Sequence, residues 1–264
     1  MFSEDEAIRI EALPGLWRRS LIVRPDGSRD SMTWVRWLQG RRRFADLRQS
    51  PAVKRFRKVR GRGELRREDC LELARQEGFA GELAHEGRYF EWRRWIDYQP
   101  ASGLADAGAL ELADGVLVER GRDIAYTEHW HRERGPTAPC WALDLERPAA
   151  ATSAASAARA LLLRVGECFM LARARACALA PGHSLEDCVA RAPTLEAAQA
   201  LIDCEISFGE VRSDHQLAIL QSTLPWRVGM RLDVQVDAQG VWMPECAVDG
   251  TLLRERWRIL ARED

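Results

Sequence analysis

The chain has 264 residues, with 39 basic and 40 acidic side chains, a formal net charge of −1 and a hydrophobic share of 46%. This balance gives no overall pull toward nucleic acid or an anionic membrane, and no apolar run approaches the roughly 20 residues of a membrane-spanning helix. The opening MFSEDEAIRIEALPG is acidic and lacks an apolar core, so a secretory signal is not expected and the cytoplasm is the expected home.

The first third reads as strands. GLWRRSLIVRP is followed by the turn chemistry of Asp26-Gly27-Ser28, then by MTWVRWLQG and RFADLRQ. Pro51 closes this block. The segment PAVKRFRKVRGRGELRR is dense in Lys and Arg and is expected to be an exposed basic loop, 50–67. REDCLELARQEG predicts a short helix with acids early and Gly78 beyond its end. FAGELAHEG and RYFEWRRWIDYQP return to strand patterning. ADAGALELADGVLVERGRDIAYTEHWHR, broken at Asp114-Gly115 and at Gly121-Arg122-Asp123, predicts three successive antiparallel strands. CWALDLER adds another.

The Ala-rich link 149–159 is low in complexity and marks the expected place for any split into two lobes. ALLLRVGECFMLARARA suits one long strand or a strand pair. SLEDCVARA and TLEAAQALID predict helices with Ser184 and Thr194 as N-caps. CEISFGEV, HQLAILQSTLP, RLDVQVDAQGVWM and TLLRERWRIL are again strand-like.

About a dozen strands and three short helices in meander order predict an all-β fold, an antiparallel and closed or nearly closed barrel. Two organisations fit. One is a single barrel domain over 1–264, with the basic loop 50–67 and a helical insertion 184–203. The other is a pair of barrel-like halves. No β-α-β alternation, dinucleotide fingerprint, phosphate-binding Gly-rich loop or Gly-x-Ser-x-Gly elbow is present.

LPGLW, with Gly15, one spacer and Trp17 on the first strand, resembles the Gly-x-Trp opening of the lipocalin-like (calycin) barrels. The resemblance implies a cup with an interior cavity. It also implies that Trp17 closes one end against an arginine of a late strand, for which LLRERWRIL offers Arg254, Arg256 and Arg258. The intracellular branches of that superfamily are the nearer comparison, and many of them bind fatty acids, haem or small hydrophobes. The last strand has no His to serve as an axial ligand, so no haem is expected.

Seven cysteines with no C-x-x-C pair read as reduced structural thiols, with Cys168 and Cys204 acting as small hydrophobes. Ten Trp against three Tyr predict either a dense β core or a cavity walled by aromatic rings.

YTEHWHRERG, residues 126–135, concentrates the chemistry. On a strand, Tyr126, Glu128, Trp130 and Arg132 share one face and His129, His131 and Glu133 the other. The His129-x-His131 pair with Glu133 resembles the His-x-His core of cupins. Three ligands on one straight strand would spread over about 14 Å, too wide for a single ion. The tyrosine face is expected to line the barrel with Trp92 and Arg94 of FEWRRWIDY. There Glu128 would pair with Arg94 or Arg132, and a ligand carboxylate could replace one partner. In DCEISFGE, Glu205 and Ser207 are expected to face solvent; were they to line the cavity, Glu205 would join Glu128 as a second carboxylate, with Tyr126 as proton donor.

The expectation is therefore a small-molecule-binding barrel for a hydrophobic or carboxylated metabolite, with Trp92, Arg94, Trp130 and Arg132 as ligand contacts. It would act by acid/base chemistry of isomerase, cyclase or lyase type through Glu128, Tyr126 and Glu205, and without a cofactor. Two alternatives stand beside it. One is a cupin-like metal enzyme using His129 and His131. The other is a non-enzymatic interaction protein whose basic loop engages an acidic partner, nucleic acid being disfavoured by the thin aromatic interleaving of that loop.

Overall fold

The computed structural model describes residues 8–147, 158–179, 182–212, 216–238 and 240–264. Among them the chain forms two antiparallel sheets. The first contains β1 (Gly15–Val23), β2 (Arg29–Asp30), β3 (Trp34–Gln39), β4 (Arg43–Gln49), β5 (Glu77–Glu86), β6 (Tyr89–Asp97), β7 (Ala107–Ala113), β8 (Val116–Gly121) and β9 (Thr127–Arg132). Its strands pair in chain order, and β9 pairs back onto β1. The result is a closed eight-strand barrel, with the short β2 hairpinned onto the end of β1. Closure removes the unpaired edges that an open sheet of this length would present.

The second sheet holds β10 (Cys140–Arg147), β11 (Ala158–Val165), β12 (Cys168–Arg173), β13 (Glu205–Val211), β14 (Leu217–Ser222), β15 (Arg231–Leu232), β16 (Gln235–Asp237), β17 (Gly240–Cys246) and β18 (Leu252–Glu263). Its order is β15-β14-β13-β12-β11-β10-β18-β17-β16, a half-barrel without the closing pair. The antiparallel all-β architecture is as expected, and it consists of a full barrel beside a half one. The chain passes from the first sheet to the second between Arg132 and Cys140. Residues 148–157 of the Ala-rich link lie outside the described residues.

Three short helices follow, α1 (Arg67–Leu73), α2 (Leu185–Ala190) and α3 (Leu195–Leu201), the last two starting where the capping chemistry puts them. Ser184 Oγ accepts from the Asp187 amide at 3.1 Å and Thr194 Oγ1 from the Ala197 amide at 3.2 Å, each satisfying a helix-end donor. The helices and the two sheets share one core. Leu38, Ala45 and Leu47 on the outer face of the barrel meet Leu161, Leu163, Met170 and Ile206 of the half-barrel, with Cys70, Leu73, Val189 and Ile202 at the margin. The opposite face of the half-barrel buries Leu162, Phe169, Leu171, Met243 and Trp257. Strands covered on both faces need no polar side, which explains the unbroken apolar runs in β11 and β12.

The basic segment is less of an excursion than its composition suggests. Residues Pro51–Lys58 form a 3-10 helix whose Phe56 is buried, and Leu65 is buried behind it. Arg62 pairs with Asp203 at 2.5 Å, Arg60 with Glu64 at 2.9 Å and Arg55 with Glu72 at 3.9 Å.

Two β-bulges shape the barrel interior. In β1 the register against β9 shifts between Arg19 and Leu21, so that both Arg19 and Ile22 point inward. In β6 the shift against β5 falls between Ala80 and Gly81, where Ile96 and Arg94 become the consecutive partners. Before this bulge Phe90 and Trp92 face the barrel core; after it Ile96 and Tyr98 face the half-barrel. One extra residue reverses the faces of all that follow. The even-numbered side chains from Phe90 to Tyr98, which would share one face of a regular strand, are therefore split between two cores.

Candidate site at the open end of the first barrel

One end of the barrel is shut. A 3-10 turn, Ile10–Ala12, and Leu13 pack beneath Trp17, whose indole N–H donates to the Leu13 carbonyl at 2.8 Å. The Arg132 guanidinium crosses the Trp17 ring at 5.7 Å and donates to the carbonyls of Ala12 and Pro14. Gly15, at φ +149°, leaves room for it, because a Cβ there would stand 2.9 Å from Arg132 Nε. The Gly-x-Trp and arginine arrangement expected of the motif is present, but the arginine is Arg132. Arg254, Arg256 and Arg258 belong to β18, at the far side of the half-barrel. The closing strand of a barrel need not be the last strand of the chain, and here it is β9.

The middle of the barrel is solid. Trp37 stacks on Trp17 at 5.7 Å and meets Trp92 at 5.7 Å and Trp130 at 5.5 Å edge-on. Such offset and edge-to-face pairs exploit the quadrupole of the rings. Four of the ten tryptophans thus make a dense floor, and a cavity lies above it.

At the open end lies a cavity of about 680 Å³, lined by Ile22, Arg48, Phe79, Trp92, Arg94, Tyr126 and Glu128 and roofed by residues 99–107. Alternation along β9 sends Glu128 and Trp130 inward, 1% and 2% exposed, while His129 and His131 face outward. Along β4, Phe44, Asp46 and Arg48 likewise face in. Glu128 Oε1 accepts from Arg19 Nη1 at 2.6 Å and from Arg48 Nη1 at 3.2 Å. Its Oε2 is buried and has no hydrogen-bond partner among the described residues. Arg48 also donates to Asp46 at 2.8 Å, and Arg94 pairs with Asp97 at 3.0 Å and Asp106 at 2.5 Å. The two guanidiniums of Arg48 and Arg94 lie over the Phe79 ring at 5.1 and 3.5 Å.

A second carboxyl faces Glu128. Glu119 sits directly opposite it across the β8–β9 pair and is 4% exposed. Burial, then the adjacent Glu128 and Asp106, hold the Glu119 carboxyl well above its ordinary range. Trp130 Nε1 donates to Glu119 Oε2 at 3.0 Å, and Glu119 Oε1 lies 2.6 Å from the Tyr126 hydroxyl, which is 3.4 Å from Asp106. Burial and the neighbouring Glu119 and Asp106 raise the Tyr126 phenol above its usual range. Asp46 is pushed up to about 6 by burial, with Arg48 opposing.

The expected site residues thus divide. Trp92, Arg94, Tyr126 and Glu128 come together in the cavity wall, and Trp130 lies in the floor beneath. Arg132 is at the opposite, closed end. Glu205 is in the half-barrel, 1% exposed, accepting from Arg227 Nε at 2.9 Å and Ser207 Oγ at 2.7 Å. It neither faces solvent nor approaches Glu128, because β13 is buried on both faces. Glu119, Asp46, Arg48 and Arg19 were missed. The mirror symmetry of the 119–128 hairpin and the alternation Phe44, Asp46, Arg48 in RFADLRQ are the signals that carry them.

On the outer face of β9, His131 Nε2 is 2.9 Å from Ser20 Oγ, and Glu133 is engaged by Arg36 at 3.2 Å and Arg18 at 3.7 Å. Among the described residues no three His, Cys, Asp or Glu side chains are grouped to hold a metal ion. Two other hollows exist. One, of about 920 Å³, lies at the closed end by Arg41, Arg42, His85 and Arg132; the other, of about 770 Å³, lies between the lobes by Trp34, Arg36 and Cys168. Both are larger than the cavity at the open end, but among the described residues neither has a buried, unpartnered polar atom in its wall.

Fold and site together define an antiparallel closed barrel with one stoppered and one polar, open end, a form compatible with the calycin-like barrels. No protein-family model and no curated protein sequence matches the chain. Among solved structures, the crystal structure of an uncharacterized protein from Saccharomyces cerevisiae is similar, with a TM-score of 0.53 and 12% identity over 96% of this chain and 100% of that one. At that identity the likeness is one of fold, and it spans both lobes. Among the described residues no helix is long and apolar enough to cross a membrane.

Proposed function

We propose that the protein binds a small organic molecule in the open end of its first barrel. The observation that carries this reading is the cavity of about 680 Å³ walled by Phe79, Trp92 and Tyr126, with Glu128, whose buried Oε2 has no hydrogen-bond partner among the described residues, also lining it. Its size suits a metabolite, and an apolar wall with a few convergent polar groups is the usual form of such sites. Any acid/base chemistry on that ligand would fall to Glu128 and Tyr126, which line the cavity, rather than to Glu205.

A thermal-denaturation screen against a metabolite panel tests the reading. A ligand at a hundred times its dissociation constant adds about 2.7 kcal/mol of stability. The expected hit loses that gain in Phe79→Leu and in Trp92→Leu and keeps it in His85→Ala, at the closed end. A hit that is weakened only by His85→Ala would move the site to the other hollow.

A further inference from the structure

Six carboxyl groups meet four guanidinium groups around the open end. The carboxyls are Asp30 on β2, Asp46 on β4, Asp97 on β6, Asp106 before β7, Glu119 on β8 and Glu128 on β9; the guanidiniums are Arg19, Arg24, Arg48 and Arg94. Every guanidinium is already shared. Arg19 bridges Glu128 and Asp30, Arg24 reaches Asp30, Arg48 bridges Asp46 and Glu128, and Arg94 bridges Asp97 and Asp106. A proton on Glu119 neutralises one surplus carboxyl. One negative charge remains over; at the cavity margin Glu77, Glu91 and Asp123 are offset by Arg93, Arg122 and Arg175. A buried charge without a counter-charge is costly. The atom of this cluster left without a hydrogen-bond partner among the described residues, Glu128 Oε2, is a carboxylate oxygen and accepts only.

We infer that the ligand of this site is an organic cation, an ammonium compound with an apolar or aromatic body, whose N–H groups pair with Glu128 Oε2. This rests on the binding site proposed above and replaces the carboxylated ligand expected from Arg94, whose guanidinium is occupied by Asp97 and Asp106. The body of such a ligand has matching surfaces. Ile22 lies in the wall, and Leu104 and Ile124, 56% and 46% exposed, line the same cavity from the loops at its mouth. The rings of Trp92 and Tyr126 supply faces that attract cations. Asp46 gives the site a pH dependence. Below about 6 it takes a proton and relieves the surplus charge, so a cation is held less tightly there.

Calorimetric titration of the full chain with 2-phenylethylammonium, 2-phenylethanol and phenylacetate tests this at near-neutral pH. The ammonium is expected to bind roughly tenfold or more tighter than the alcohol, and phenylacetate weakest. Ammonium affinity is expected to fall as pH drops from about 7 to about 5, with the alcohol unaffected. Glu128→Gln should remove the preference for the ammonium while the alcohol still binds, and Asp106→Asn, at the half-exposed rim, should reduce it without disturbing the core. Binding of the alcohol or phenylacetate equal to or tighter than the ammonium overturns the cation assignment and leaves the site itself standing. No binding of any of the three at millimolar concentration counts against both.

Discussion

Asp46 and Glu119 show what enclosure does to a carboxyl. Asp46 has an ordinary value of 3.8 and stands at about 6 in the folded protein, raised by burial against the pull of Arg48. The native state therefore holds this proton more tightly than the unfolded chain. Between the two values the folded protein binds more protons, so the contribution to stability is full below about 4, is lost as pH rises toward about 6 and is level above it. The span corresponds to roughly 2–3 kcal/mol at 1.36 kcal/mol per pKa unit. Denaturant titrations at several pH values should show this fall in the wild type. Asp46→Asn, which keeps an acceptor for Arg48, should show it reduced by about that amount; an unchanged pH profile would mean that Asp46 titrates normally. Such residues were only partly legible in the sequence. Glu128 and Trp92 stand out because aromatics and charges alternate around them. Glu119 and Asp46 emerge only when a strand is placed in register with its neighbour, and Glu205 was misread because the arginines that cover its face, Arg173 and Arg227, come from other elements.

The elements were largely visible, their irregularities were not. Turn residues at Asp114-Gly115 and caps at Ser184 and Thr194 are local chemistry, and the strands and helices they bound are found in place. The β6 bulge is set by a close approach across the β5–β6 hairpin, which the pattern of either strand alone does not show. A Cβ on Gly81 would lie 1.9 Å from the Arg93 carbonyl oxygen, so the strands can approach there only over a glycine. That bulge takes Ile96 and Tyr98 out of the barrel and leaves Arg94 over Phe79 at the mouth. Gly81→Ala should destabilise the protein by about 1–3 kcal/mol, since the backbone must shift to admit one methyl group. Equilibrium unfolding measures this; a loss below about 0.5 kcal/mol would show that the close approach is relaxed in solution.

At the scale of the molecule, the two lobes are joined by a shared core, and each strand set is read differently for that reason. Runs such as ALLLRVGECFMLA signal burial on both faces, yet the partner of each face is a tertiary fact. Barrel closure is of the same kind. The Gly15-x-Trp17 opening announces a stoppered end, but which arginine seals it depends on which strand returns to β1. Arg132 does so because β9, not β18, pairs there. With one end sealed and the middle filled by Trp17, Trp37, Trp92 and Trp130, any guest of this barrel must enter at the open mouth. Crystallographic fragment soaking, with organic ammonium compounds among the fragments, tests that conclusion most directly. The expected result is density in the mouth, against Phe79, Trp92 and Tyr126 and within hydrogen-bond reach of Glu128 Oε2. A mouth that stays empty across the whole set, while fragments settle in the hollow by Arg41 and His85 or in the cleft by Trp34 and Arg36, would contradict it.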